Sequence, residues 1–231
     1  MDAAIVTVGF FHLAAATENT NATWLCDRLD ARGVSVRRVT VVPDEVGEIA
    51  RVVNEYHAEY DAVIVTGGLG PTHDDVTMDA VAAAFGRDLV ANDEAAAWLA
   101  SQGYSADDLV AETTHLPADC RPLPNEAGVA PGAVVEAVYV LPGVPAEMKA
   151  MFESVVEEFE GARTHTVTVD VDEPESELID RFAALREAFD VAVGSYPGES
   201  VRVKITASSV DEAERAAEWV RERSTLVDPE T

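Results

Sequence analysis

Two cysteines, two lysines and 6% aromatic residues are what this 231-residue chain holds least of. Cys26 and Cys120 lie far apart without CxxC spacing, so neither a disulfide framework nor a cysteine zinc site is expected. Basic charge is scarce, with 16 Lys and Arg against 43 Asp and Glu and a formal net charge of −27. No nucleic-acid partner and no anionic membrane surface is expected, because phosphate-rich surfaces demand clustered Lys and Arg. The longest mostly apolar run, Ala3 to Ala16, is interrupted by Thr7 and His12 and is too short to span a bilayer. No basic segment follows Met1-Asp2 as a secretory leader would require. The expectation is a cytoplasmic protein without a membrane partner.

What is present is a large apolar fraction, 48% of residues, in a chain long enough for a sizeable core. Its recurring apolar segments exclude a disordered acidic chain. Lys149 and Lys204 are the lysines, and the other 14 basic residues are arginines. So acidic and lysine-poor a surface reads as halophilic adaptation, in which dense counterions screen self-repulsion. The same composition makes adjacent acidic pairs cheap, about eight by chance. A bare Asp-Asp here carries little information.

The first 160 residues alternate strand and helix patterns. Strands are expected at Ala3 to Gly9, Val34 to Val42 (with one solvated face) and Asp61 to Thr66. Helices are expected at Thr20 to Arg32 with Gly33 after its end, and at Glu45 to Tyr60 with Val46, Ile49, Val53 and Tyr56 on one face. A further helix, capped by Thr77, runs to Phe85 and stops at Gly86. After a helix around Glu94 to Ser101 and a Gly/Pro-rich stretch, Leu123 to Pro131, come a hairpin-like pair, Ala133 to Leu141, and a helix from Pro145 to Phe159. This order implies a three-layer α/β/α fold with a mostly parallel sheet. Gly161-Ala162-Arg163 reads as a linker between a domain at 1–163 and a small α+β (βαββα) domain at 164–231. The second domain carries 7 basic and 16 acidic residues and lacks a basic GxxG loop, so RNA is not expected on it.

Thr66-Gly-Gly-Leu-Gly-Pro-Thr-His-Asp-Asp-Val-Thr77 carries the most chemistry. It lies between a buried strand and a helix start, at the carboxyl edge where open α/β sheets place ligands. Its glycines allow close backbone approach, and the amides at the helix start attract phosphate oxygens. It is not the dinucleotide fingerprint, which needs GxGxxG after the first strand; here that strand ends in Gly9-Phe10-Phe11, which weakens an NAD-dependent dehydrogenase. Asp44 follows Pro43 at the end of the second strand and would project from the same edge as Asp74 and Asp75. Carboxylates beside a phosphate loop call for a divalent cation between them. Composition alone explains these acids equally well as solvated surface or helix caps. His73 is a lone loop histidine, and His12, His57, His115 and His165 have no ligand spacing. Cys26 reads as a small core residue on its helix.

These residues also carry a resemblance. TGGLGPTHDDVT, with Asn19-Thr-Asn-Ala22, Val42-Pro-Asp-Glu45, Asn125-Glu-Ala-Gly-Val-Ala-Pro-Gly132 and Leu141-Pro-Gly-Val-Pro-Ala-Glu-Met148, resembles the N-terminal domain of the CinA (competence/damage-inducible) proteins, within the molybdopterin-binding MoaB/MogA superfamily. Residues 164–231, with Glu175-Ser-Glu177 and Ser195-Tyr-Pro197, resemble the small KH-like middle domain of the same proteins. The CinA C-terminal domain, with its nicotinamide-mononucleotide deamidase activity, is not expected here.

The resemblance implies chemistry on a diphosphate-linked adenylate or on a pterin. Asp44 and Asp75 match the aspartates of the family's VPDE and DxT motifs, which makes them the expected catalytic pair and the holders of a divalent metal such as Mg²⁺, with potassium as a further candidate cofactor. The expected ligand-binding set is Asn19, Asn21, Thr66, Gly67, Gly68, Gly70, Thr72, Asp74, Thr77, Gly128, Pro131, Gly132, Gly143 and Glu147. Gly9 to Ala22 departs from the family pattern: Phe11 stands for Glu, Ala15 for the second Gly and Glu18 for Val. Three functions follow. The first is a metal-dependent pyrophosphatase of an ADP-ribose- or FAD-like nucleotide. The second is a molybdopterin-binding or adenylating protein of cofactor biosynthesis. The third is a non-catalytic binding module. A homo-oligomer, dimer or trimer, is expected from the relatives.

Overall fold

A computed structural model describes residues 1–9, 18–104, 113–162 and 164–227. It divides into two compact units, Met1–Gly161 and Ala162–Thr231.

In the first unit the elements are β1 (Asp2–Val8), α1 (Thr20–Asp30), β2 (Ser35–Val42), α2 (Val46–Glu59), β3 (Ala62–Thr66), α3 (Thr77–Ala84), β4 (Leu89–Ala91), α4 (Asp93–Ser101), β5 (His115–Pro117), β6 (Arg121–Leu123), β7 (Gly132–Val135), β8 (Val138–Leu141) and α5 (Pro145–Val155). Six strands form one sheet in the order β2-β1-β3-β8-β7-β6. β2, β1, β3 and β8 are parallel, β7 runs against them, and β6, antiparallel to β7, runs with them at the edge. The expected mostly parallel three-layer arrangement is what the chain adopts.

Strand alternation explains the layers. Ala3, Ile5, Ala62 and Ile64 face α1 and α5, where they meet Leu25, Leu29, Met148, Met151 and Phe152. Ala4, Val6, Val63 and Val65 face α2 and α3, where they meet Ile49, Val53, Ala80 and Val81. Both faces of the central strands are covered, so β1 and β3 read as continuous apolar runs. Phe152 is fully buried and stacks edge-on against Trp24 and tilted against Phe159.

Several sequence expectations need correction. Val46 does not join the buried face of α2; it stands 38% exposed in the first turn, and Val52 is buried beside Ile49 and Val53 instead. The helix from Pro145 stops at Val155, and Val156–Glu158 tighten into a 3₁₀ turn. β2 is an edge strand with a bulge at Arg37, and most of its side chains are exposed or half-buried rather than cleanly alternating. The short strands β4, β5 and β6 were not expected. β4 and β5 form their own antiparallel pair beside α3.

The second unit contains β9 (His165–Val171), α6 (Glu175–Ala188), β10 (Val191–Pro197), β11 (Val201–Ala207) and α7 (Val210–Arg221). Its three strands are antiparallel in the order β10-β11-β9. Val169, Val171, Val203 and Ile205 pack with Leu178, Phe182, Ala216 and Val220 of the two helices on one face only. No helix among the described residues is long and apolar enough to cross a membrane.

Candidate functional site

The chain leaves β1 for α1 on one face of the sheet and leaves β3 for α3 on the other. β1 and β3 stay paired to Thr7 and Thr66, and the chain beyond them diverges to opposite faces, the switch-point geometry at which open α/β sheets bind ligands. Polar side chains gather there. Asn19 caps α1 by accepting from the Ala22 N–H at 3.2 Å, and its amide donates to the Thr7 hydroxyl at 3.0 Å. Asn21 donates to the Gly143 carbonyl at 2.7 Å, tying α1 to the loop after β8. Thr66, the last residue of β3, is 1% exposed.

Beyond Thr66 the backbone turns through Gly67 (φ 99°) and Gly68 (φ 67°), conformations that favour glycine. A side chain on Gly67 would meet the Val8 carbonyl at 2.5 Å, and one on Gly68 would collide with the Thr77 hydroxyl. Thr77 is not the cap of α3; that position is Val76, which makes no side-chain capping bond. The fully buried Thr77 hydroxyl instead donates to the Gly67 carbonyl at 2.8 Å and locks the turn from below.

Residues 70–75 fold back on themselves. The Asp75 carboxylate accepts from the Thr72 N–H at 3.0 Å and lies 2.5 Å from the Thr72 hydroxyl. Asp74 reaches the same hydroxyl, also at 2.5 Å. That hydroxyl and its own backbone N–H hold the Asp74 carboxyl below the usual carboxylate range. The His73 side chain is fully exposed, 4.0 Å from Asp74.

This loop forms one wall of a cavity of about 630 Å³. Gly68, Gly70, Thr72 and Asp75 line the polar side, together with Asp79 of α3. The facing wall is Leu89 of β4, His115 and Leu116 of β5, Thr113 before it, and Val129-Ala130-Pro131. The 125–131 loop is fixed from behind. Asn125, 1% exposed, donates to the Ala130 carbonyl at 2.9 Å and to the Glu147 carboxylate at 2.7 Å. Gly128 lies so close to that carboxylate that a side chain on it would collide.

Of the residues expected to hold ligand, Gly68, Gly70, Thr72 and Pro131 line this cavity, as does Asp75 of the expected catalytic pair. Thr66, Gly67 and Thr77 form its scaffold rather than its lining, as do Gly128 and Glu147. Gly132 packs against Met151 and Val140, and Gly143 against Gly67. Asn19 instead borders a shallower depression of about 530 Å³ along α1, with Glu18, Trp24 and Asp27. Asp44 follows β2 and lies outside the cavity walls. Asp44 and the glycine loop do not follow neighbouring strands, because β1 lies between β2 and β3. Their strand ends are two spacings, about 10 Å, apart. Phe10, Phe11, His12 and Ala15 lie outside the described residues, as does Arg163 of the linker. Sequence reasoning missed the apolar wall, since Leu89 and Leu116 belong to three-residue strands with no motif.

A doubly wound α/β domain with a glycine turn and a mixed polar–apolar cavity at its switch point is a small-molecule-binding fold. A family model described as a probable molybdopterin binding domain matches residues 4–161, and one described as the FAD synthase middle domain matches residues 163–225. The chain belongs to this molybdopterin-binding domain family, in its CinA-like branch. A protein of Archaeoglobus fulgidus is 36% identical over 224 residues, with 96% of this chain and 97% of that one covered. One of Aeropyrum pernix is 40% identical, with 92% and 88% covered. The crystal structure of CinA, a protein of unknown function from Thermoplasma acidophilum, matches with a TM-score of 0.64 and 36% identity over 68% of this chain and 97% of that one.

Proposed function

We infer that the first unit binds a diphosphate-bearing nucleotide and hydrolyses its diphosphate with a divalent cation. The observation that carries this reading is the cavity itself. A glycine turn with open backbone faces an apolar wall formed by Leu89, Leu116 and Val129, which suits phosphates on one side and a flat ring on the other. Its volume matches that of a small-molecule site.

The donor set fits a hard cation. The Thr72 hydroxyl has one proton yet lies 2.5 Å from a carboxylate oxygen of both Asp74 and Asp75, so one of the two close approaches has no proton to bridge it. All these donors are oxygens, which suits Mg²⁺. Asp75 would hold the cation with Asp74 beside it, and the cation would neutralise charge on the phosphate oxygens. Asp44 follows β2 and Asp75 lies in the loop after β3, the two strands on either side of β1, so Asp44 would act only on a diphosphate that extends out of the cavity across the end of β1. Gly68 and Gly70 would admit the phosphates close to the backbone. The carboxylate of Asp44 would orient the attacking water and take its proton. Incubation with ADP-ribose or FAD, Mg²⁺ or Co²⁺, and K⁺ should release AMP. Release no greater than that of Asp75→Ala contradicts the reading.

A second reading is binding or adenylation of molybdopterin. It is favoured by the family match across residues 4–161. Calorimetric titration with molybdopterin separates the two.

A further inference from the structure

The three-stranded sheet of the second unit has helices on one face only. On its open face β11 presents Arg202, Lys204 and Thr206, β9 presents Thr166, Thr168 and Asp170, and β10 presents Ala192, Gly194 and Tyr196. Lys204 occupies the middle of the central strand, directly between Gly194 and Thr168.

The charge at this position is out of keeping with the chain. Among the described residues, every arginine makes an ion pair, hydrogen bond or ring contact; even neighbouring Arg202 is paired with Asp170 at 3.1 Å. Lys149 lies over the Trp24 ring. Among the described lysines and arginines Lys204 alone has no such partner, in a chain with 43 acidic residues. Beside it the Tyr196 ring, with the residue 57% exposed, leans over Gly194, about 3.8 Å from where a side chain on that glycine would begin. The platform is an uncompensated ammonium, a hydroxyl from Thr168 and an exposed aromatic face over bare backbone.

We propose that this open sheet face is a second small-molecule site that takes a mononucleotide, its phosphate on Lys204 and its base stacked on Tyr196. Charge complementarity calls for an anion, and base-on-tyrosine stacking adds to the phosphate contact. The face by itself is small for a second copy of the chain. Three strands of seven residues offer about 10 by 24 Å, some 240 Å² against the ~800 Å² per partner of a stable dimer. The strongly acidic remainder of the unit disfavours a long polyanion.

The test is a titration of the full ¹⁵N-labelled chain with AMP, read by amide shifts. The amides of Gly194, Lys204 and Thr168 should move saturably. Lys204→Gln should weaken that binding about tenfold, and Lys204→Arg should nearly preserve it. Tyr196→Ala should weaken AMP binding but leave the binding of inorganic phosphate unchanged. Three results would overturn the proposal: no shift at these amides in millimolar AMP, shifts indifferent to Lys204→Gln, or the same amides responding more tightly to an acidic peptide than to AMP. Shifts at Gly68 to Asp75 report the first unit separately, so the two sites are read independently.

Discussion

The hydroxyl of Thr77 reaches under the glycine turn to donate to the Gly67 carbonyl at 2.8 Å, and it fills the space that a side chain on Gly68 would need. A helix residue thereby sets the shape of the loop at the end of β3. The positive φ of Gly67 and Gly68 and the buried hydroxyl are one device. It holds the backbone open toward the cavity.

Thr77→Val keeps the volume but orphans the Gly67 carbonyl, which should cost about 1–3 kcal/mol in urea unfolding. Thr77→Ser should restore most of that loss. Gly68→Ala should weaken ligand binding as well as stability, because the new methyl group displaces the Thr77 hydroxyl. Equal ligand affinity in Gly68→Ala and the unaltered chain would count against this.

Glu147 should act on the ligand without touching it. Glu147→Ala removes one of the two acceptors of the buried Asn125 amide, the one that ties the 125–131 loop to α5, and three residues of that loop line the cavity. Hydrogen exchange at Val129 and Ala130 should quicken, and ligand affinity should fall about tenfold. Glu147→Gln retains an acceptor oxygen and should recover most of the affinity.

Tyr139 supplies an alkaline prediction. Burial first, and then its hydrogen bond to Glu158 at 3.0 Å, push its hydroxyl up to about 12 from 10. The folded state thus favours the neutral phenol. Its stabilising contribution is complete below pH 10 and is lost as pH rises from 10 toward 12. Tyr139→Phe should flatten that part of the stability profile in denaturant melts. Ultraviolet titration should show one tyrosine fewer ionising late.

The layers were legible because β1 and β3 are short β-branched runs between helices with 3.6-residue periodicity. Leu25 with Leu29 and Met148 with Phe152 are each four apart and fall on the same buried side. The glycine turn was legible too, since three glycines in four residues have few other uses. Strand order was not. Nothing local in Val42-Pro-Asp44 records that β1 lies between β2 and β3, because that pairing is decided by tertiary packing. Thr77 looked like a cap from its place before an apolar segment, but the tight turn at Gly67 claims its hydroxyl. The apolar wall was invisible because β4 and β5 are each three residues long, too short for periodicity to show.

Asp44 and Asp75 should separate turnover from affinity. If they flank the diphosphate, Asp44→Asn and Asp75→Asn should each reduce AMP release by about 100-fold or more, with ligand affinity changed much less. Equal losses in affinity and rate would make them binding residues only.

The most direct measurement is a crystal structure with ADP-ribose bound. The diphosphate should lie within about 3 Å of backbone amides or side chains at Gly68 to Thr72, with a ring against Leu89 and Leu116. A diphosphate seated along α1 beside Trp24, or an ADP-ribose that never occupies the cavity, would contradict the account.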